Sequence, residues 1–363
     1  MKILGIGNAI VDVLCKVDDE FLIRNSLTKS TMKLIDETEF KNLLSGLSIE
    51  DTISGGSVAN SIVGLSQLGN DVGFIGKIND DDLGQKYEDG LKKENVNYLY
   101  SKKDEPIPTG SCLILITPDS ERTMCTFLGT AGKINDSDID AEIIKSAEIT
   151  LLEGYLWDEG EPKKAFDKAI NNSKKVAMSL SDKFCVDRHK SHFLELVKNK
   201  LDITFANEEE IKSLIDANNF NEVIEFAKKI KKLLVITRGD KGAISINGNE
   251  INEIGIEKNL KLVDLTGAGD LFAAGYLHGI INNLSSMGDN LTIIMIAHRV
   301  EPGEQILEAK FTGFGATFAG EQSLIFEINE GEKKYFLVQM RAGAFRNTIT
   351  LIEVTRAAFS SAR

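Results

Sequence analysis

Cysteine is scarce and scattered in this chain. Cys15, Cys112, Cys125 and Cys185 form no Cys-x-x-Cys pair and have no histidine at metal-ligand spacing, which excludes a disulfide framework and a structural zinc site. Free thiols in a reducing compartment fit that pattern. Histidine is as sparse: His189, His192, His278 and His298 make no visible constellation and carry no assignment. Basic charge is in deficit, 42 Lys and Arg against 55 Asp and Glu, for a formal net charge of −13. That balance excludes the footprint of a nucleic-acid or anionic-membrane surface, so small molecules are the expected partners. Long hydrophobic runs are missing too. The stretch from Leu291 to Ala297, broken by Thr292, is far short of a membrane span, and Met1-Lys2-Ile3-Leu4-Gly5 enters a strand pattern with no apolar signal core. The expectation is a cytoplasmic protein, monomeric or homodimeric, with no nucleic-acid or membrane partner.

What is present is enough apolar residue for a large core. At 363 residues and 42% hydrophobic content, the chain allows roughly two domains or one large α/β domain. Strand-like apolar runs at 2–7, 72–78, 149–153, 176–180, 202–206 and 233–237 alternate with amphipathic stretches at 60–68, 162–172, 189–199, 208–216 and 221–230. That alternation predicts an α/β fold, a mostly parallel sheet with helices on both faces. The texture changes at 110–128, where two apolar segments flank Pro118-Asp119-Ser120-Glu121-Arg122 and read as a hairpin.

Two glycine-rich stretches point to chemistry. In Val263-Asp264-Leu265-Thr266-Gly267-Ala268-Gly269-Asp270-Leu271-Phe272, small residues run into an apolar helix. Glycine lets backbone approach an anion closely, and the first N–H groups of the helix would point at it. Asp270, in the first helical turn, is placed to take a proton from an attacking hydroxyl. The alternative is a plain strand-to-helix turn in which Asp270 only offsets the helix dipole. The second stretch, Ser54-Gly55-Gly56-Ser57-Val58-Ala59-Asn60 to Gly69, repeats the design, and Asn60 adds a side chain suited to sugar hydroxyls.

Together these stretches resemble the two signatures of the ribokinase-like (PfkB) family of carbohydrate and nucleoside kinases, with the adenosine kinases as the nearest match inside it. Gly5-Ile6-Gly7-Asn8-Ala9-Ile10-Val11-Asp12, Leu180-Ser181-Asp182-Lys183-Phe184, Asn207-Glu208-Glu209-Glu210 and Thr237-Arg238-Gly239-Asp240-Lys241-Gly242 agree in order and approximate spacing. The resemblance covers residues 1–283 and implies a ribokinase-like domain whose small β-sheet lid comes from the regions near 13–35 and 110–128. It implies ATP and Mg2+, and in some members a monovalent cation such as K+. It further implies an anion hole from Gly267, Ala268 and Gly269, Asp270 as base, and Arg122 at the hairpin tip swinging onto the phosphates. Asn8, Asp12, Gly55, Gly56, Asn60 and Phe184 would hold the substrate, and Asn207, Thr237, Gly239 and Gly242 the nucleotide. Glu210 would serve magnesium through water. Read alone, Asp12 is a surface aspartate, Arg122 a solvated turn residue, Phe184 a core residue, and Glu208-Glu209-Glu210 a set of charges favouring a helix dipole. The implied activity is phosphorylation of a ribonucleoside 5′-hydroxyl, adenosine to AMP. A sugar kinase acting on ribose, fructose or a sugar acid, and a non-catalytic nucleoside or sugar binder, are the alternatives.

Past residue 283 the family pattern stops. Residues 1–283 hold 4 Arg and 30 Lys, whereas 284–363 hold 5 Arg and 3 Lys. The reversal suggests a C-terminal segment of different origin, by fusion or frame shift, with a divergent native terminus as the alternative. Within it, Ser323 to Asn329 and Lys334 to Met340 read as a β-hairpin around Glu330-Gly331-Glu332.

Overall fold

The computed structural model describes residues 1–119, 121–158, 160–256 and 267–282 in full; beyond them it describes the backbone of strands lying between 291 and 355. Fourteen strands belong to the fully described part: β1 (Ile3–Ile6), β2 (Ile10–Lys16), β3 (Met32–Leu34), β4 (Ile49–Gly55), β5 (Val72–Ile75), β6 (Asn97–Tyr98), β7 (Gly110–Ile116), β8 (Arg122–Phe127), β9 (Ile149–Glu153), β10 (Val176–Ser179), β11 (Ile203–Asn207), β12 (Leu233–Thr237), β13 (Ala243–Asn247) and β14 (Glu250–Ile254). The helices are α1 (Asp19–Arg24), α2 (Glu37–Leu44), α3 (Ser57–Gln67), α4 (Asp82–Lys93), α5 (Ala141–Ser146), α6 (Glu161–Asn172), α7 (Lys183–Asn199), α8 (Glu208–Leu214), α9 (Phe220–Ile230) and α10 (Ala268–Ile281).

Nine strands form the central sheet in the order β14-β13-β12-β11-β10-β9-β1-β5-β6. All its pairings are parallel except those joining β12 to β13 and β13 to β14. Strands covered by helices on both faces lose the polar alternation of a one-sided sheet, so all four residues of β1 and all five of β9 are buried. Successive side chains still feed opposite faces. Ile3, Leu151, Phe205 and Val235 join the core under α3 and α10, whereas Leu4, Leu152, Met178 and Ile236 join the core of α6, α7, α8 and α9. The α/β architecture read from the alternation is therefore the one observed. The antiparallel β13 and β14 were not expected. Gly239 (φ 57°) and Gly242 (φ 83°) take left-handed conformations in the loop after β12, and the Arg238 N–H closes it on the Gly242 carbonyl at 2.7 Å, reversing the chain.

A second, five-stranded sheet runs β3-β8-β7-β2-β4. It contains the hairpin expected at 110–128, with Ile116 opposite Arg122, together with β2 and β3 from the region near 13–35. β4 is an addition to the expectation. Register places Asp12, Cys112 and Thr126 in one row and Leu14, Ile114 and Met124 in the next, on one face of this sheet.

The four cysteines are free and buried. No helix among the described residues is long and apolar enough to cross a membrane. In the C-terminal segment Glu321–Glu330 and Lys333–Val338 pair antiparallel, from Ile325 opposite Val338 to Glu330 opposite Lys333, at the place where a hairpin was expected. Met340 lies outside the described residues, as do Val263 to Thr266 of the first glycine motif.

Candidate active site

Seven of the ten described helices begin with an Asp or Asn whose side chain caps the first turn. The other three, α3, α6 and α10, begin with glycine and have no side-chain cap. Gly56 (φ 106°) and Gly267 (φ 75°) hold backbone conformations that side chains disfavour, and both line one cavity of ≈ 420 Å³. Both helix starts face a common cavity: the first-turn N–H groups of α10 can serve an anion, whereas in α3 the Val58 N–H already donates to Glu153. Gly269 and Ala268 line it as well.

Asp270 lies between the two helices. Its Oδ1 accepts a hydrogen bond from Ser57 Oγ at 2.6 Å, its Oδ2 accepts one from Asn60 Nδ2 at 3.0 Å, and its carbonyl oxygen accepts one from Ser61 Oγ at 2.9 Å. α3 and α10 come close because position 64 has no side chain: a Cβ there would sit 2.9 Å from Leu271 Cδ2 and 3.2 Å from Ala274 Cβ. Burial pushes the Asp270 carboxyl up to about 6, with the Ser57 and Asn60 bonds opposing the shift. A carboxylate anchored by two donors and able to take a proton near neutral pH is equipped as a general base.

Sequence reasoning missed Glu153, the last residue of β9. Its Oε1 accepts from the Asn8 backbone N–H at 3.2 Å and from Asn8 Nδ2 at 2.8 Å, and its Oε2 accepts from the Val58 N–H at 3.0 Å, inside the first turn of α3. Burial raises its carboxyl to about 7, and the charge of Asp270 adds to the rise. Glu153 thus links the start of α3 to Asn8. The available signal was an acid ending an otherwise apolar strand at the carboxyl edge of a parallel sheet, where such folds bind ligands. Asn8 Oδ1 is buried with no hydrogen-bond partner, and Asn8 lines the cavity, so this atom is an acceptor in reserve for a ligand donor.

Asp12 faces the same cavity from β2. Burial raises its carboxyl to about 7, and the Arg122 guanidinium opposes that rise. Gly55 leaves room for it, since a Cβ at position 55 would lie 2.5 Å from Asp12 Oδ2. Arg122 is not at the hairpin tip as expected. The Thr117 N–H bonds the Glu121 carbonyl at 3.0 Å and closes the turn one residue earlier, so Arg122 is the first residue of β8, half-buried, on the sheet face that carries Asp12.

The remaining wall is largely aromatic and carries one charged pair: Leu34 and Met124 come from the small sheet, and Tyr155, Trp157, Asp158, Phe184, Arg188 and His189 from the segments after β9 and β10. Phe184 is 57% exposed at this wall, which sets aside the core reading of it. Ser181 takes a left-handed φ of 72° there, and its Oγ accepts from the Tyr155 N–H at 3.0 Å, fixing that loop. Asn60, expected to share sugar hydroxyls with Asp12, spends its amide N–H on Asp270.

Asn207, Glu210, Thr237, Gly239 and Gly242 do not line this cavity; they sit at the carboxyl ends of β11 and β12. Asn207 and Glu210 form a reciprocal capping box, with Asn207 Nδ2 and N–H donating to the two carboxylate oxygens at 2.5 and 2.9 Å and the Glu210 N–H donating back at 2.8 Å. Burial raises the Glu210 carboxyl to about 7. Among the described residues no group of three or more acids, histidines or cysteines is gathered to hold a metal ion. The described residues therefore form no direct protein cage for a divalent cation.

Residues 32–288 match the family model described as pfkB family carbohydrate kinase. The adenosine kinase from Sinorhizobium meliloti, a solved structure, is 35% identical with a TM-score of 0.71, over 77% of this chain and 88% of that one. Adenosine kinase 2 of Arabidopsis thaliana is 24% identical over 314 residues, 78% of this chain and 88% of that protein. The probable chloroplastic fructokinase-6 of the same plant is 29% identical over 270 residues, 69% and 70% of the two lengths.

Proposed function

The chain belongs to the pfkB family of carbohydrate kinases, phosphotransferases acting on alcohol groups, and from that premise we propose that it moves the γ-phosphoryl group of ATP to the 5′-hydroxyl of a ribonucleoside, adenosine first. The observation that carries this reading is the mixed lining of the cavity. Asn8, Asp12 and Asp270 are matched to ribose hydroxyls, and Leu34, Met124, Trp157 and Phe184 give the lining its apolar part. A free sugar has hydroxyls on every side and would strand some of them against the apolar part, at a cost of ~1–3 kcal/mol for each one unmet. A nucleoside offers a flat, largely apolar base for that wall.

In this reading the substrate hydroxyl lies against Asp270, which takes its proton as the oxygen attacks phosphorus in line with the departing ADP. The α10 N–H groups at Gly267, Ala268 and Gly269 stabilise charge on the transferring group, the usual requirement of phosphoryl transfer. Asp12 and Asn8 orient the ribose. The nucleotide follows the carboxyl edge past Asn207, Thr237, Gly239 and Gly242. Glu210 would hold the magnesium of the ATP phosphates through water, as suits a strongly hydrated cation, and the ion would supply positive charge to those phosphates.

The fructokinase relative favours a second reading, a sugar kinase on the same machinery. Steady-state kinetics with adenosine, ribose and fructose separates the two. The account expects kcat/KM for adenosine at least about tenfold higher, a difference of ~1.4 kcal/mol in transition-state binding. Preference for ribose or fructose would transfer the assignment to the sugar reading.

A further inference from the structure

We propose, building on the nucleoside reading, that Asp158 and Arg188 are specificity-determining residues that read the hydrogen-bonding edge of the nucleobase. Arg188 Nη2 donates to Asp158 Oδ2 at 3.1 Å, and both residues line the cavity that contains Asp270. They stand on its aromatic side: Trp157, beside Asp158, is buried with its ring 4.7 Å from that of His189, the neighbour of Arg188. α7 departs from helical geometry at His189 (φ −118°, ψ 23°), so the helix is broken where it lines the cavity.

Stability gives little reason for this pair. Its side chains are 47% and 48% exposed, and an ion pair of that kind contributes little to stability. The choice of residue is informative as well. In a region with 30 lysines and 4 arginines, where most surface ion pairs use lysine, an arginine occupies this position. Arginine presents a planar fork of donors that lysine lacks. A purine edge places an acceptor ring nitrogen beside an exocyclic donor, as N7 lies beside the N6 amine in adenine. A guanidinium donor with a neighbouring carboxylate acceptor is the complement of that edge. Apolar walls alone accept any flat base, whereas polar groups that must be paired discriminate strongly against a substrate lacking the partner.

The test compares adenosine with purine riboside, which has the same ring and no amine, in the parent, Asp158→Ala and Arg188→Met, with thermal unfolding of all three. The parent should favour adenosine by about tenfold or more in kcat/KM. In Asp158→Ala that ratio should collapse towards one through loss on adenosine; in Arg188→Met both substrates should weaken, mainly in KM. Unfolding midpoints within a few degrees of the parent would show that the fold is intact. An unchanged ratio in Asp158→Ala, or unchanged KM in Arg188→Met, would overturn the assignment while leaving the kinase reading standing. A parent that phosphorylates ribose or fructose and neither nucleoside would overturn both.

Discussion

Four buried acids share one physical cause for their raised values, burial, and it makes their consequences predictable. The carboxyls of Asp12, Glu153 and Glu210 are raised to about 7 and that of Asp270 to about 6. A general base works deprotonated, so kcat/KM should fall as pH drops below about 6, in a limb set by Asp270. Stability has its own sign. A group with a raised folded-state value favours folding when protonated; its contribution is complete below the unfolded value near 4 and is lost as pH rises through about 7. Denaturant titrations at pH 5 and pH 8 should show this loss, and Glu153→Gln, which fixes a neutral side chain, should flatten it. An equal slope in parent and variant would detach Glu153 from the effect. Arg122 belongs to the same electrostatic group through its action on Asp12. In Arg122→Ala, kcat should fall more than adenosine affinity if the guanidinium meets the phosphates on closure of the small sheet; equal rates would leave it a tuner of Asp12 alone.

Two helices starting at glycine and crossing at a glycine make the working unit. Gly64 allows α3 and α10 to approach until Ser57, Asn60 and Ser61 reach Asp270. Gly64→Val should destabilise the protein by ~1–3 kcal/mol through overpacking and reduce kcat by moving Asp270 from its donors. Equilibrium unfolding and turnover of that variant check both parts. At this scale most of the structure was legible. The alternation of apolar runs located β1, β5, β9, β10, β11 and β12, and the paired segments around Pro118 located the β7–β8 hairpin. β13 and β14 escaped because the deciding feature is backbone conformation at Gly239 and Gly242, which spacing does not display. α4 also escaped: its stretch Asp82-Leu83-Gly84-Gln85-Lys86 is polar enough to read as surface loop, and Asp81 starts the helix by capping the Gly84 N–H at 2.7 Å.

For the whole molecule, local motifs carried the candidate site part of the way. Asn8, Gly56, Asn60 and Gly267 to Asp270 are far apart in the chain and meet in one cavity, because both glycine stretches open helices at the same sheet edge. Glu153, Trp157, Asp158 and Arg188 have no motif; only the fold, by setting β9 beside β1 and β10, brings them there. The C-terminal segment is a separate matter. The family match ends at residue 288, and the Lys-to-Arg balance inverts beyond 283. We propose that the segment past residue 288, five residues later than expected, lies outside the family pattern and that ATP affinity is reduced more than adenosine affinity, since the proposed ribose site lies within 1–283. Calorimetric titration of each ligand checks this, and tight ATP binding would argue for a native terminus.

Transfer of phosphate to a nucleoside hydroxyl with Asp270 as base is tested most directly by single-turnover formation of AMP from adenosine and γ-labelled ATP, in the parent and in Asp270→Asn, with adenosine binding measured alongside. The account predicts label on the 5′-oxygen in the parent and a rate lower by roughly two to four orders of magnitude in the variant, with affinity within several-fold. AMP formed at parental rate by Asp270→Asn, or no label on adenosine in the parent, would contradict it.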